Sequence, residues 1–493
     1  MHKRHLADMA RYILLRTICI PVILLLHGGN CKDVTNQLDT SPNGLATTEL
    51  PSAASGHPLL TPSALCKKYQ CGCLPSDSVA EMRVDCSYKS IDSMDRLSVP
   101  LYVVEIDLSG NNFTVILDYY FYVGEGVHVL DLSHNSITFV AMRSLHGLMN
   151  LGTLTLAHNK LHSLEEDVFG GLTKLRNLDL SYNRISTLLP TYFENLSDLE
   201  DLNLAHNPLM ELSGSAFNQL KSLNHLNLQS TGLRTLKPDD FRNLANLKAL
   251  DLSSNAFDAV PLSAMRTMTQ LRHLDLSSNL LHILPPFSFY NLTSLRSLNL
   301  KYMINLKSIE HHAFSDVASL KIVDLSFSPH LKRIDKLAFT FNSTGARIEL
   351  DSFYARQTGL ETLSSALLQW DYVNEVDLAE NPWICDCRLS WMQDLINIDV
   401  TDGKLRCASP EALAGRLVTK LKTADMCSNM VTLPTVHDVS AAMKVVLGLL
   451  IVVSIVLAVV IVTMIYMKIR SRKPNMYMGL KERISYNASA ADE

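Results

Sequence analysis

Between Val103 and Ile334 apolar and polar residues alternate in a phrase that returns at a fixed interval. Positions 1, 4, 6 and 11 of the phrase are apolar, and position 9 is polar. Position 9 falls on Asn111, Asn135, Asn159, Asn183, Asn207, Thr231, Asn255 and Asn279, each 24 residues after the last. Within one phrase Leu175, Leu178 and Leu180 share a face, whereas Arg176, Asp179 and Ser181 need not be buried. That alternation predicts a short strand with one buried face. An Asn at position 9 can be buried if its amide bonds the backbone of adjoining loops, which predicts a ladder of amides. The second half of each phrase keeps its own rule. Phe169, Phe193, Phe217, Phe241, Phe289, Phe314 and Phe339 recur, with Met265 once in their place, and predict an aromatic spine.

A period of this length means units that bury their apolar faces only by stacking on neighbours. The predicted fold is an α/β solenoid, a curved leucine-rich repeat horseshoe with a parallel sheet on its concave side. About eleven or twelve repeats occupy residues 101–380. Register loosens after Leu300 and Leu325. Residues 342–372 are irregular, with Ile348 and Leu350 as their clear strand pair, and register returns at Val373, Val376, Leu378 and Asn381.

An end repeat has one face without a neighbour and needs a cap. Cysteines cluster at both ends. Cys66, Cys71, Cys73 and Cys86 precede the array, and Cys385, Cys387, Cys407 and Cys427 follow it. Four cysteines allow three pairings, which spacing alone does not decide. Zinc is the competing use of the first group; its spacing is not C-x2-C, and the chain is read below as secreted.

Phrase, Phe column and cysteine clusters together, over residues 66–427, resemble the extracellular leucine-rich repeat proteins with cysteine caps on both sides. The resemblance implies disulfides Cys66–Cys73, Cys71–Cys86, Cys385–Cys407 and Cys387–Cys427. It assigns 66–100 to the N-terminal cap and 381–428 to the C-terminal cap.

Two further apolar stretches place the array in a cell. Lys3, Arg4, Arg11 and Arg16 with the apolar run Thr17–Leu26 read as a signal peptide over residues 1–31. Cleavage after Cys31 leaves an even number of cysteines, and cleavage after Gly28 leaves Cys31 as a free thiol; the first is preferred. Residues 32–65 are rich in Thr, Ser and Pro and read as a flexible leader. A short stalk, 429–444, leads to residues 445–467, which carry no charge and suffice to cross a bilayer as one transmembrane helix. Lys468, Arg470, Arg472 and Lys473 follow. The positive-inside rule then makes the chain a single-pass type I protein of the plasma membrane. The tail, 468–493, is expected to hold no Toll-type or enzymatic domain. Tyr477-Met-Gly-Leu480 fits a short sorting or phosphorylation pattern, with chance occurrence as the alternative.

Net charge is −5, which gives no basic face for nucleic acid. Zincin, serine-hydrolase, P-loop and dinucleotide motifs are absent, and no cofactor, metal or catalytic residue is implied. Glycosylation sequons stand at Asn112, Asn195, Asn291 and Asn342. Two columns of exposed strand positions are candidates for ligand contact. Gly110, His134, His158, Tyr182 and His206 form a His/Tyr stripe just before the ladder Asn, able to act in a pH-dependent way. The competing reading is a commonplace of the phrase. Lys248, Arg272, Arg296 and Lys321 form either a basic ridge for an acidic ligand or one half of charge pairs with Asp251, Asp275 and Asp324. Known relatives of this class mostly bind proteins through the concave face. The expected function is therefore a non-enzymatic cell-surface receptor or adhesion molecule for an extracellular protein ligand. A membrane co-receptor or a second copy of the chain could join it, and lipid is met through one helix. The alternative is an innate-immune pattern-recognition co-receptor without a signalling domain of its own.

Overall fold

The structure, a computed structural model, describes residues 66–75, 81–94, 96–397, 405–427 and 436–470. The signal peptide, the leader and Tyr477 lie outside them. The described residues build a solenoid of about 13 turns. Its principal sheet has 14 strands, all parallel except the first pair. Each repeat adds one strand, such as Asn177–Asp179 between Thr153–Thr155 and Asp201–Asn203, with Leu178 opposite Leu154 and Leu202.

Most of these strands are three residues long, positions 3 to 5 of the phrase, and only position 4 points inward within them. Positions 1 and 6 are buried just outside the strand, as Leu175 and Leu180 show. The convex half is made mainly of turns. Its regular pieces are the helical turns Pro190–Phe193 and Leu262–Met265 and short strands such as Ile283–Leu284, Ser308–Ile309 and Arg333–Ile334. It takes up far more residues per repeat than the three-residue strand, so the sheet lies on the inside of the curve.

Two internal columns hold the turns together. Asn183 donates to the carbonyls of Leu156 in the preceding turn and of Leu180 and Ser181 in its own, at 2.9, 3.0 and 3.2 Å. Its Oδ1 accepts from the Leu161 N–H at 3.0 Å. Asn135, Asn159, Asn207, Asn255 and Asn279 repeat this pattern. Thr231 breaks it, because its hydroxyl bonds only its own turn and Asn255. Beyond Asn279 the position passes to Met303, Ser328 and Thr358 before Asn381 resumes the amide bonds. The Phe column is buried from Phe169 to Phe339, with Met265 in line. Ring centroids lie 6.3 Å apart at Phe193–Phe217 and 4.4 Å apart at Phe314–Phe339.

The irregular part differs from the sequence expectation. Its strand is Ser352–Tyr354, paired with Ile322–Asp324 and Glu375–Asp377, and not the stretch holding Ile348 and Leu350. Those two are buried, but they lie on the approach to the strand. Phe353 and Ala355 fill the inward places that Leu fills elsewhere.

Both ends are closed. At the first, the hairpin Gly72–Pro75 with Met82–Asp85 covers the sheet edge and carries disulfides Cys66–Cys73 and Cys71–Cys86. At the second, disulfides Cys385–Cys407 and Cys387–Cys427 surround buried Trp383, whose indole N–H donates to the Leu378 carbonyl at 2.9 Å. A separate helix, Val436–Arg470, begins within the stretch read as a stalk. Its segment Gly448–Lys468, with mean hydropathy 3.1, is long and apolar enough to cross a membrane.

Candidate ligand-binding surface

In a three-residue strand, side chains 3 and 5 point away from the core. Stacked over seven repeats, they line an open trough of about 700 Å³ from Thr153 to Asn299. Asp201, His225, Ala249, His273 and Ser297 follow one another at position 3. His225 Nδ1 meets the Asp201 carboxylate of the neighbouring strand, and His273 is exposed. The sequence reading passed over His225 and His273, which stand on the strands themselves. Following position 3 as a column would have found them.

Position 5 has a different use. Asp179, Asp251, Asp275 and Asp324 each accept, through Oδ1, the backbone N–H two residues on, at 2.8 to 3.0 Å. Asn203, Asn227 and Asn299 do the same. This Asx turn ends each of these strands. Burial raises the Asp251 carboxyl above its ordinary range, the hydrogen bonds to Ser253 oppose that, and the Asp275 charge adds to it. The acids are thus tied to the frame of the fold. Lys248, Arg272 and Arg296 lie three residues earlier, at position 2, and no described carboxylate pairs with them. Only Lys321 of that column has a partner, Asp351, at 3.3 Å. The charge pairing entertained from sequence between this column and Asp251, Asp275 and Asp324 is therefore not found.

The His/Tyr stripe exists, but off the strands. Position 8 is the turn after the strand, with φ of 53° at His134, 54° at His158, 53° at Tyr182 and 57° at His206. Gly110 holds the same place at φ 65°. The turn stacks the rings: His134 on His158 at 4.2 Å, His158 on Tyr182 at 4.1 Å, Tyr182 on His206 at 4.0 Å. Burial in the stack, and then the neighbouring His134, lower the His158 pKa. The column passes through Ser230, Ser254 and Ser278, then resumes as Tyr302 on Phe327 at 4.8 Å. It lines the flank at the C-terminal ends of the strands.

The sequons lie outside the trough. Asn112 is exposed immediately after a ladder Asn. Asn195 and Asn291 occupy one column, two residues after Phe193 and Phe289, where they donate to Asp167 and to the Arg266 carbonyl. Asn342 is exposed just past Phe339. Among the described residues no group of three or more His, Cys, Asp or Glu is placed to hold a metal ion.

A model of the leucine rich repeat matches residues 102–161, 150–209, 209–257 and 246–302, in step with the strands described above. Residues 102–302 are leucine-rich repeats. Solved structures of similar fold include the Drosophila Toll–Spatzle complex, with 20% identity, TM-score 0.50, and 68% of this chain covered against 57% of that one. Its glycosylated form gives 21%, 0.50, 67% and 52%. The mouse RP105/MD-1 complex gives 24%, 0.53, 67% and 61%. This leucine-rich repeat chain thus spans little more than half the length of the first two.

Proposed function

We propose that the protein is a cell-surface receptor or adhesion molecule that holds a protein ligand in its concave trough. One observation carries this reading. The recurring residues, Leu, Asn, Phe and the Asp or Asn of position 5, are all consumed by folding, whereas position 3 changes from repeat to repeat across one continuous open face. Variable side chains on a rigid frame are what recognition of one partner requires. Support comes from the complexes with Spatzle and MD-1 named for the similar structures. The apolar helix Gly448–Lys468, followed by basic residues, supports a single-pass anchor with the solenoid outside the cell. Glycans on Asn112, Asn195, Asn291 and Asn342 would then leave the trough open. The role is binding rather than catalysis, with any signal passed by a recruited partner.

The test displays the full chain on cells and screens secreted and cell-surface proteins, with microbial products in parallel. A protein ligand is expected whose affinity falls at least about tenfold, roughly 1.4 kcal/mol, with Asp201→Arg and His273→Glu at unchanged surface level. Capture of microbial products alone would favour the pattern-recognition reading. A ligand indifferent to both substitutions would move the site off the trough.

A further inference from the structure

Position 2 lies just before each strand, along one edge of the concave sheet. From Arg176 onward it reads Arg176, Glu200, Asn224, Lys248, Arg272, Arg296, Lys321 and Asp351. The cations at both ends of this run are answered by the next repeat: Arg176 meets Glu200 at 3.0 Å, and Lys321 meets Asp351 at 3.3 Å. The three between them are not. Lys248, Arg272 and Arg296 are exposed in successive repeats, each immediately before its strand, and none pairs with a described carboxylate. Neighbouring strands stand about 4.8 Å apart, and like charges directly opposite one another destabilise a sheet.

The fold gains nothing from those charges. What it uses at position 2 is the backbone: the Arg272 N–H donates to the Lys248 carbonyl, and the Arg296 N–H to the Arg272 carbonyl, both at 2.8 Å. Gly152 and Asn224 serve the same column, so any side chain would do. Nor can the sheet supply counter-charge from its other edge. Asp251 and Asp275 are held by the turns after their strands, and the second oxygen of Asp275 accepts from Asn299 at 2.6 Å. The row is a repulsive feature that folding neither requires nor relieves.

We infer that Lys248, Arg272 and Arg296 receive a row of carboxylates on the protein ligand, laid along the solenoid axis; this rests on the protein-binding reading above. The repeat spacing selects the form of that row. Carboxylates three or four residues apart on a helix rise about 4.5–6 Å, close to one per repeat. On an extended strand, same-face residues are about 6.6–6.8 Å apart and fall out of step. The partner therefore presents an acidic helical stripe. Arg272 and Arg296 grip it by paired N–H donors, and Lys248 acts as a point charge. Lys321, engaged with Asp351, marks where the ridge ends.

The experiment uses the full chain on cells and two fluorescent helical peptides of equal composition. One carries Glu at alternating three- and four-residue spacing on a single face, and the other scatters the same Glu residues around the helix. Heparin is the third probe. The striped peptide should bind better than the scattered one, and more weakly as salt is raised. Binding should fall at least tenfold with Arg272→Glu and Arg296→Glu together, and less with Gln at both places. Arg234→Glu, the same charge change at an exposed cation away from this edge, should leave it unaltered. Surface level reports folding for every variant. Equal binding of both peptides, equal loss with Arg234→Glu, or capture of heparin without the striped peptide would each overturn the inference. A natural protein ligand insensitive to Arg272→Glu and Arg296→Glu would also overturn it while leaving the receptor reading intact. Failure of every protein in the screen would sink that reading itself.

Discussion

At the scale of single residues, the side chains that recur are those the backbone cannot do without. Asn183→Ala would leave the Leu161 N–H buried with no acceptor and withdraw a donor from the Leu156 carbonyl. The expected loss is about 1–3 kcal/mol, read as a lower midpoint in thermal unfolding; an unchanged midpoint would count against the ladder. Asp251 makes a prediction of opposite sign. Its carboxyl is raised in the folded chain by burial. Such a group binds its proton more readily folded than unfolded, so ionisation works against the fold at neutral pH. The penalty fades as pH falls through the raised value and is gone below the unfolded one, about 3.9. Asp251→Asn keeps the acceptor for the Ser253 N–H, as Asn203, Asn227 and Asn299 do in their turns. The variant should melt higher at pH 7, with an advantage that shrinks on acidification. A gain independent of pH would mean that charge is not its source.

At the scale of the element, the hydrophobic period was a sound guide to what is buried and a poor one to what is hydrogen-bonded. Leu at positions 1, 4 and 6 was legible because all three places face the core. The strand itself covers only positions 3 to 5, a limit set by the Asx turn, and Asp at position 5 looks on paper like a free charge. The same blindness placed Ile348 and Leu350 on a strand that lies at Ser352–Tyr354, since Phe353 and Ala355 hide the Leu pattern. It also put the His/Tyr stripe on strands, although no apolar period reports a left-handed turn. That turn can be tested at Tyr182, φ 53°. Tyr182→Gly and Tyr182→Val both remove the ring stack, but only Val carries a branched side chain into the left-handed region. Val should be less stable than Gly by about 1–2 kcal/mol in chemical denaturation. Equal stabilities would contradict the turn.

At the scale of the molecule, caps, array and apolar helix could be read directly, because each is announced by composition over many residues: clustered cysteines, a 24-residue period, a long uncharged run. The candidate site could not. A trough is made of residues 24 apart that are adjacent only after stacking, and the position-3 column shows no pattern because difference from turn to turn is its use. What the sequence did offer, the basic column, drew its meaning from the structure, which shows the acids opposite it already engaged.

Turns joined in series also have a mechanical character. Each ladder Asn bonds the turn before it through both ends of its side-chain amide, whereas Thr231, Met303 and Thr358 lend that turn no side-chain bond. If the far end of the solenoid holds a ligand while the near end is moored, every junction carries the same load and the thinnest one sets the limit. Stretched lengthwise, the solenoid should part first at one of these three turns. Thr231→Asn, Met303→Asn and Thr358→Asn together should raise the lowest rupture force in single-molecule pulling, and an unchanged force would place the weak link elsewhere. Three missing amides then decide how hard the protein can be pulled before it gives.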